Sequence, residues 1–200
     1  MKHRLAGHIA YLAGPMDRVE DRGVEWRIDI EQFLQGMDIG VLNPCNKPLD
    51  WGVEDEDARM WRKESILKAE KLWNNGHLHE SHKICKAIHE QMRDIVGSDL
   101  RCVDHCHFVI LHVDLAVHSC GSYNEQTHAC LQRKPVIVHC KQGKHHVPDW
   151  LWGICQHEMF FSTWDHVKQY IEHMAYDEKV EHLKRWRFFD MNKIYGREIF

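Results

Sequence analysis

A chain of 200 residues, 44% of them hydrophobic, is long enough for one ordinary domain with a buried core. Its 26 Lys and Arg against 30 Asp and Glu give a formal net charge of −4, which argues against the basic footprint of a protein that grips a phosphate backbone. No apolar run approaches the roughly 18 residues of a membrane span, and Met1-Lys2-His3-Arg4 leads only into a short apolar segment broken at Gly14-Pro15, so neither insertion nor secretion is expected and a cytoplasmic location is.

The first element is His8-Ile9-Ala10-Tyr11-Leu12-Ala13, a largely apolar run that reads as a buried strand and stops at Gly14-Pro15. Trp26, Ile30, Phe33, Leu34 and Met37 recur at helical spacing and predict a helix from about residue 22 to Gly36. Ile39-Gly40-Val41-Leu42 is a second strand, ended by Asn43-Pro44. From Asp50 to Gly97 the composition turns charged, with a helix over 56–72, a turn at Asn74-Asn75-Gly76, and a second helix marked by Ile84, Ile88, Met92 and Ile95 that is expected to end at Gly97. Phe108-Val109-Ile110-Leu111-His112-Val113 is the strongest strand signal. Residues 122–133 read as a helix, Pro135-Val136-Ile137-Val138 and Met159-Phe160-Phe161 as strands, and Ser162 opens a helix carrying Val167, Tyr170, Ile171 and Met174.

Strands alternating with helices predict a single α/β domain over residues 1–200: a doubly wound parallel sheet of about five strands, flavodoxin-like, with a charged helical insertion at about 50–97. The tail from about 177 to 200 carries Trp186, Phe188, Phe189, Tyr195 and Phe200 and is expected to pack on another surface. Ligands of such sheets sit beyond the carboxyl ends of the strands where the strand order reverses. That rule singles out residues 14–18, 43–46 and 114–125.

The last of these contains Ser119-Cys120-Gly121-Ser122-Tyr123-Asn124-Glu125. Two readings stand side by side. Ser122-x-x-Glu125 has the spacing of a capping box, in which the Glu reaches back to the helix start; alternatively Glu125 is a carboxylate at the sheet edge, able to act as nucleophile or base.

Taken together, Tyr11-Leu12-Ala13-Gly14-Pro15-Met16-Asp17, Trp26-Arg27, Leu42-Asn43-Pro44, Asp99-Leu100-Arg101-Cys102-Val103-Asp104, Val113-Asp114, Gly121-Ser122-Tyr123-Asn124-Glu125 and Lys134-Pro135-Val136-Ile137-Val138 form an ordered series. In it the chain resembles the nucleoside 2-deoxyribosyltransferases and the related deoxynucleoside 5′-monophosphate N-glycosidases over most of residues 8–172. Val147-Pro148-Asp149-Trp150-Leu151-Trp152-Gly153 and the charged insertion resemble the larger, phage-type members.

The resemblance implies that Glu125 is the nucleophile that bonds to the anomeric carbon, that Asp99 faces the departing base and can serve as general acid, and that Tyr11 orients the nucleophile. These roles suit cleavage of an N-glycosidic bond, whose transition state carries positive charge on the sugar. Tyr11 reads equally as a core residue at a strand end. Gly14, Pro15, Asp17, Asn43, Asp114, Ser119, Gly121, Ser122 and Asn124 are the implied substrate contacts; Asp104 reads as structural, and Asp114 as either structural or pocket-lining. No cofactor is implied, and the partners are a small nucleoside or nucleotide and a free base.

The glycosyl intermediate can pass to an acceptor base, giving transfer, or to water, giving hydrolysis. In the family, the position six before the nucleophile tends to be Asp where free nucleosides react and Ser where a 5′-phosphate is bound; here it is Ser119. A hydroxyl beside a helix N-terminus suits phosphate. Pro15 and Asp17 stand where phosphate-binding members place Ser and Arg, so Arg18 or Arg22 must compensate the carboxylate. Deoxyribosyl transfer, as in nucleotide salvage, is the first expectation, with hydrolysis of 5′-monophosphates the alternative. A non-catalytic nucleotide-binding module and an NAD glycohydrolase are further rivals. By analogy, a homodimer or dimer-based oligomer is expected, with the tail and the segment from Trp150 to His157 as candidate contacts.

Eighteen His and eight Cys invite a metal reading. Cys102-x-x-x-Cys106-His107, with His105 and His112, is the best candidate, but zinc sites usually pair two such clusters and only one is present. No metal is therefore expected, and the cysteines read as free thiols. His145-His146 reads as an exposed loop and His77-x-His79-x-x-His82 as a solvated helix start. Adding 18 protons to a charge of −4 gives +14, so a strong charge response is expected near pH 6.

Overall fold

A computed structural model describes residues 3–16, 19–47, 56–155 and 159–176. Asp17, Arg18, the start of the insertion at 48–55, His157 and the aromatic tail 177–200 lie outside the described residues. The chain divides into two compact units, residues 1–43 with 102–200, and residues 44–101.

The first unit is a five-stranded, all-parallel sheet in the order β2-β1-β3-β4-β5, built from β1 (Ile9–Ala13), β2 (Gly40–Leu42), β3 (Phe108–Val113), β4 (Val136–Cys140) and β5 (Phe160–Phe161). The strands are short apolar runs because both faces of the sheet are covered. Side chains alternate between the faces. Ala10, Leu12, Phe108, Ile110 and Ile137 face α1 (Val24–Gly36) and α6 (Trp164–Tyr176), packing on Ile30, Leu34, Val167 and Ile171. Tyr11, Ala13, Val109, Leu111, Val113, Val136 and Val138 join Ala129 and Cys130 of α4 (Cys120–Leu131) and Leu151 of α5 (Asp149–Ile154) in a second core. The order reverses between β1 and β3, so the carboxyl ends of those strands, Ala13 and Val113, flank the switch point.

The start of α1 shows why these residues sit as they do. Gly23 has φ of 69°, and a Cβ there would meet the Pro15 carbonyl oxygen and Arg27 Nη1 at 2.4 Å each, so the position accepts only glycine. The Asp21 carboxylate accepts the amides of Gly23 and Glu25, both at 3.0 Å, and supplies the cap that glycine lacks.

The second unit contains α2 (Glu56–Asn74) and most of α3 (Leu78–His105), joined by a turn in which Gly76 has φ of 82°. Ser81 Oγ donates to the Ala69 carbonyl at 2.7 Å and Arg62 Nη1 to Gln91 Oε1 at 3.1 Å, which sets the two helices antiparallel.

Two local expectations are corrected. The helix expected to stop at Gly97 runs on to His105, because Gly97 does not take the left-handed conformation of a helix stop and the chain continues through it. The capping box at Ser122-x-x-Glu125 does not form. The N-cap is Ser119, no side chain caps the helix, and Ser122 lies buried three residues inside it. The exposed histidine segments are as read: Lys144–His146 is an exposed 3-10 turn, and His77, His79 and His82 are exposed at the start of α3.

Candidate active site

Tyr11 is fully buried near the end of β1, and its hydroxyl donates to Glu125 Oε1 at 2.8 Å. Glu125 is half-buried, little more than one turn into α4, the helix that follows β3. The carboxylate that might have reached back to cap α4 is instead held by a phenol from the neighbouring strand. That bond spans 114 residues of sequence and closes at the switch point of the sheet. A carboxylate held by a buried phenol at such a switch point has the chemistry to act as nucleophile or base.

The loops around it are tied down by charged groups. Asp114, buried at the end of β3, accepts from Lys141 Nζ and Gln142 Nε2, both at 2.7 Å, and from the Ala116 amide at 3.0 Å. Burial raises its pKa, but these three donors outweigh it and hold the carboxyl at about 2. The same Gln142 accepts the Leu115 amide at 3.1 Å, so the loop from β3 into α4 is stitched to the end of β4. Asp114 thus shapes the loop that leads to Glu125.

Gly14 and Pro15 are buried in the loop after β1. Arg27, also fully buried, donates to the carbonyls of Leu12 at 3.2 Å, Gly14 at 2.8 Å and Gly23 at 2.8 Å, and its guanidinium lies 4.5 Å from the Trp26 ring centre. A Cβ at Gly14 would come within 2.8 Å of the Trp26 ring. The Trp26-Arg27 pair therefore clamps the loop that carries two of the candidate contacts.

Beside that loop, on the opposite face of the sheet from Tyr11, His112 and His139 are paired residues of β3 and β4 with Nδ1 atoms 2.9 Å apart. Trp164 stacks on His139 at 4.0 Å and Trp26 on Trp164 at 5.0 Å. Burial pushes both imidazoles down to about 4; for His112 the neighbouring His139, Arg27 and Lys141 add to this and Asp114 opposes it, while for His139 the Ser162 backbone opposes it.

The remaining candidates divide. Ser119 Oγ donates to the Val117 carbonyl at 3.3 Å, and its own carbonyl accepts the Tyr123 amide; Gly121 and Asn124 are exposed at the start of α4, with open space where a Gly121 Cβ would project. Asn43 Nδ2 donates to Glu31 Oε2 at 2.8 Å, so its side chain is engaged by α1. Asp99 belongs to the second unit, where Lys47 Nζ lies 2.7 Å from its carboxylate. Asp104 is exposed in the last turn of α3 and accepts from His128 and Gln132 of the α4 region at 2.8 and 2.6 Å, a structural tie.

Among the described residues no group of three His, Cys, Asp or Glu converges as a metal set. The Cys106 thiol donates to the Val103 carbonyl at 3.2 Å and is pushed up to about 12 by burial, and His107 Nδ1 accepts the Ile9 amide at 2.9 Å. The eight cysteines are unbridged.

No family model matches the chain, and no curated protein sequence matches it either. Among solved structures, a 2-deoxyribosyltransferase from the psychrotolerant bacterium Bacillus psychrosaccharolyticus aligns over 81% of this chain and 91% of its own, with a TM-score of 0.50 at 17% identity. The fold is shared with a 2-deoxyribosyltransferase. A CMP N-glycosidase of Clostridium botulinum aligns over 82% of this chain and 97% of its own, with a TM-score of 0.42 at 13% identity.

The residues that sequence reasoning passed over are Lys141, Gln142, Trp164 and the role of Arg27. A Lys-Gln pair directly after a buried strand, at the edge where ligands bind, was a usable signal. A cation in the apolar stripe of a helix was another. No described helix is long and apolar enough to cross a membrane.

Proposed function

We propose that the protein cleaves the N-glycosidic bond of 2′-deoxynucleosides or their 5′-monophosphates and transfers the deoxyribosyl group to a second base through a covalent bond to Glu125. The observation that carries this reading is the Tyr11 to Glu125 hydrogen bond at the switch point of the sheet. In the proposed step a Glu125 oxygen forms a bond to C1′ as the C1′–N bond breaks; the bonding pair leaves with the base, which takes up a proton. An acceptor base then attacks C1′ through a ring nitrogen; the C1′–O bond breaks, the carboxylate is released with its bonding pair, and the acceptor gives up its N–H proton, which balances the one taken up by the departing base. Tyr11 holds the carboxylate in line and leaves its charge on the face the sugar meets.

Asp99 is assigned to the departing base by resemblance. Assembly into a dimer or dimer-based oligomer is part of the same reading, with Trp150, 78% exposed on α5, as the candidate contact.

Hydrolysis of 5′-monophosphates is the second reading, favoured by one observation. The start of α4 has no side-chain cap, and Gly121 leaves open space beside its first amides, which suits a phosphate seated at a helix N-terminus. One assay separates the two. Deoxynucleosides, their 5′-monophosphates and NAD are each incubated with and without a free acceptor base, and bases are followed by chromatography. Exchange only with acceptor indicates transfer, and release from monophosphates in water indicates hydrolysis. Loss of base from NAD alone, or from none of these, overturns the proposal.

A further inference from the structure

Cys130, near the end of α4, and Cys155, the residue that caps α5, bring their Sγ atoms to 3.9 Å in the second core. Gln126 lies one turn before Cys130, and its Nε2 is 3.3 Å from each sulfur, so one amide hydrogen faces each. The carboxamide thereby holds the two sulfurs side by side, and Thr127 Oγ1 donates to its Oε1 at 3.4 Å. A disulfide needs the sulfurs at about 2.05 Å. The remaining approach of roughly 2 Å is within reach of side-chain rotation, and Cys155 is the C-cap of α5, its amide still bonded to the Leu151 carbonyl at 2.9 Å while its own backbone turns extended, with φ of −99° and ψ of 161°. Both residues are buried, at 8% and 7% exposure, which keeps bulky oxidants away and leaves a small peroxide as the fitting reagent.

We propose that Cys130 and Cys155 are a redox modification site, converted by hydrogen peroxide to a disulfide that ties α4 to the end of α5. One thiolate attacks a peroxide oxygen; the O–O bond breaks, hydroxide leaves and takes a proton to become water, and the attacking sulfur becomes a sulfenic acid. The second thiolate attacks that sulfur; the S–S bond forms, the S–O bond breaks, and a second water leaves. Two thiols lose two electrons and two protons, and the peroxide is reduced to two waters. The consequence is an anchor on the helix that carries Glu125, but the inference stands whether or not Glu125 is a nucleophile.

The test uses the full chain, reduced with dithiothreitol and exchanged into reductant-free buffer. It is treated with hydrogen peroxide, unfolded in guanidinium with an alkylating reagent, and digested without reductant for mass spectrometry. The expected result is a peptide pair joined through Cys130 and Cys155, unalkylated at both, that dithiothreitol separates. Both thiols alkylated at a peroxide dose that consumes the exposed Cys85 and Cys120 overturns the proposal, as does predominant bridging of either to Cys106 or Cys140. The wild-type map decides the question by itself; Cys155→Ser, where it folds, leaves Cys130 alkylatable after the same treatment.

Discussion

Acid should weaken this protein through the histidine pair at the strand ends. His112 and His139 are both held at about 4, against 6.5 for an unrestrained imidazole, chiefly by burial. Their folded pKa values lie below the unfolded ones, so their contribution is complete above pH 6.5 and is lost as the pH falls from 6.5 toward 4, where the unfolded chain binds protons that the folded chain refuses. A depression of about 2.5 units corresponds to about 3 kcal/mol for one group. The two rings share one hydrogen bond and titrate as a pair, with their mutual repulsion counted once, so the pair contributes between about 3 and 6 kcal/mol. Asp114 faces His112 and moderates the effect, while Arg27 and Lys141 reinforce it. Replacing both rings in His112→Phe/His139→Phe keeps aromatic surface against Trp26 and Trp164 and removes the titration. Denaturant unfolding from about pH 7 to pH 4 at constant ionic strength should give a steeper loss of stability in the wild type than in the variant, by that margin. Parallel stability curves for the two proteins would refute the reasoning.

Glu125→Ala should lower base exchange or release by at least about 100-fold, and Tyr11→Phe should lower turnover by about tenfold through loss of one orienting hydrogen bond, both read by chromatography of released bases. Arg27→Ala removes a buried cation bonded to three carbonyls and should cost about 3 kcal/mol or more in urea unfolding, with Arg27→Lys recovering little because an ammonium cannot span the same fork. Asp114→Asn should cost about 2 kcal/mol at pH 7; the wild-type carboxyl, at about 2 against 3.8 unfolded, contributes fully above pH 3.8 and loses that contribution as the pH falls toward 2, so the difference from the variant shrinks in strong acid. Gly23→Ala should destabilise the start of α1 by more than about 1 kcal/mol, measured by thermal unfolding, since its φ is positive and a Cβ meets backbone oxygen.

Most strands and helices were readable from the chain, with ends off by a few residues. Glycine was the least dependable punctuation. Gly97 interrupts nothing, and the left-handed residue after α1 is Asp38 rather than Gly36, because a helix ends where its last carbonyls find other partners and not where a permissive residue happens to occur. The composition was similarly coarse. Eighteen histidines suggested a broad response near pH 6, yet His8, His112 and His139 are held at about 4 by burial and are withdrawn from it.

The order of strands and helices, and with it the α/β class, follows from local patterns: apolar runs of strand length, stripes at helical spacing, and Gly-Pro or Asn-Pro breaks after strands. Such patterns act over a few residues and say nothing about which distant groups meet. Resemblance paired Tyr11 with Glu125, but local spacing by itself favoured a cap for Glu125 and a core role for Tyr11. Only the strand order, which puts β1 beside β3, turned that carboxylate toward a phenol 114 residues away. Arg27 under the Gly14 loop, Lys141 and Gln142 on Asp114, and His112 against His139 arise in the same way. Each is a polar group that folding buries, and a buried polar group must find its partner wherever the sheet has brought one.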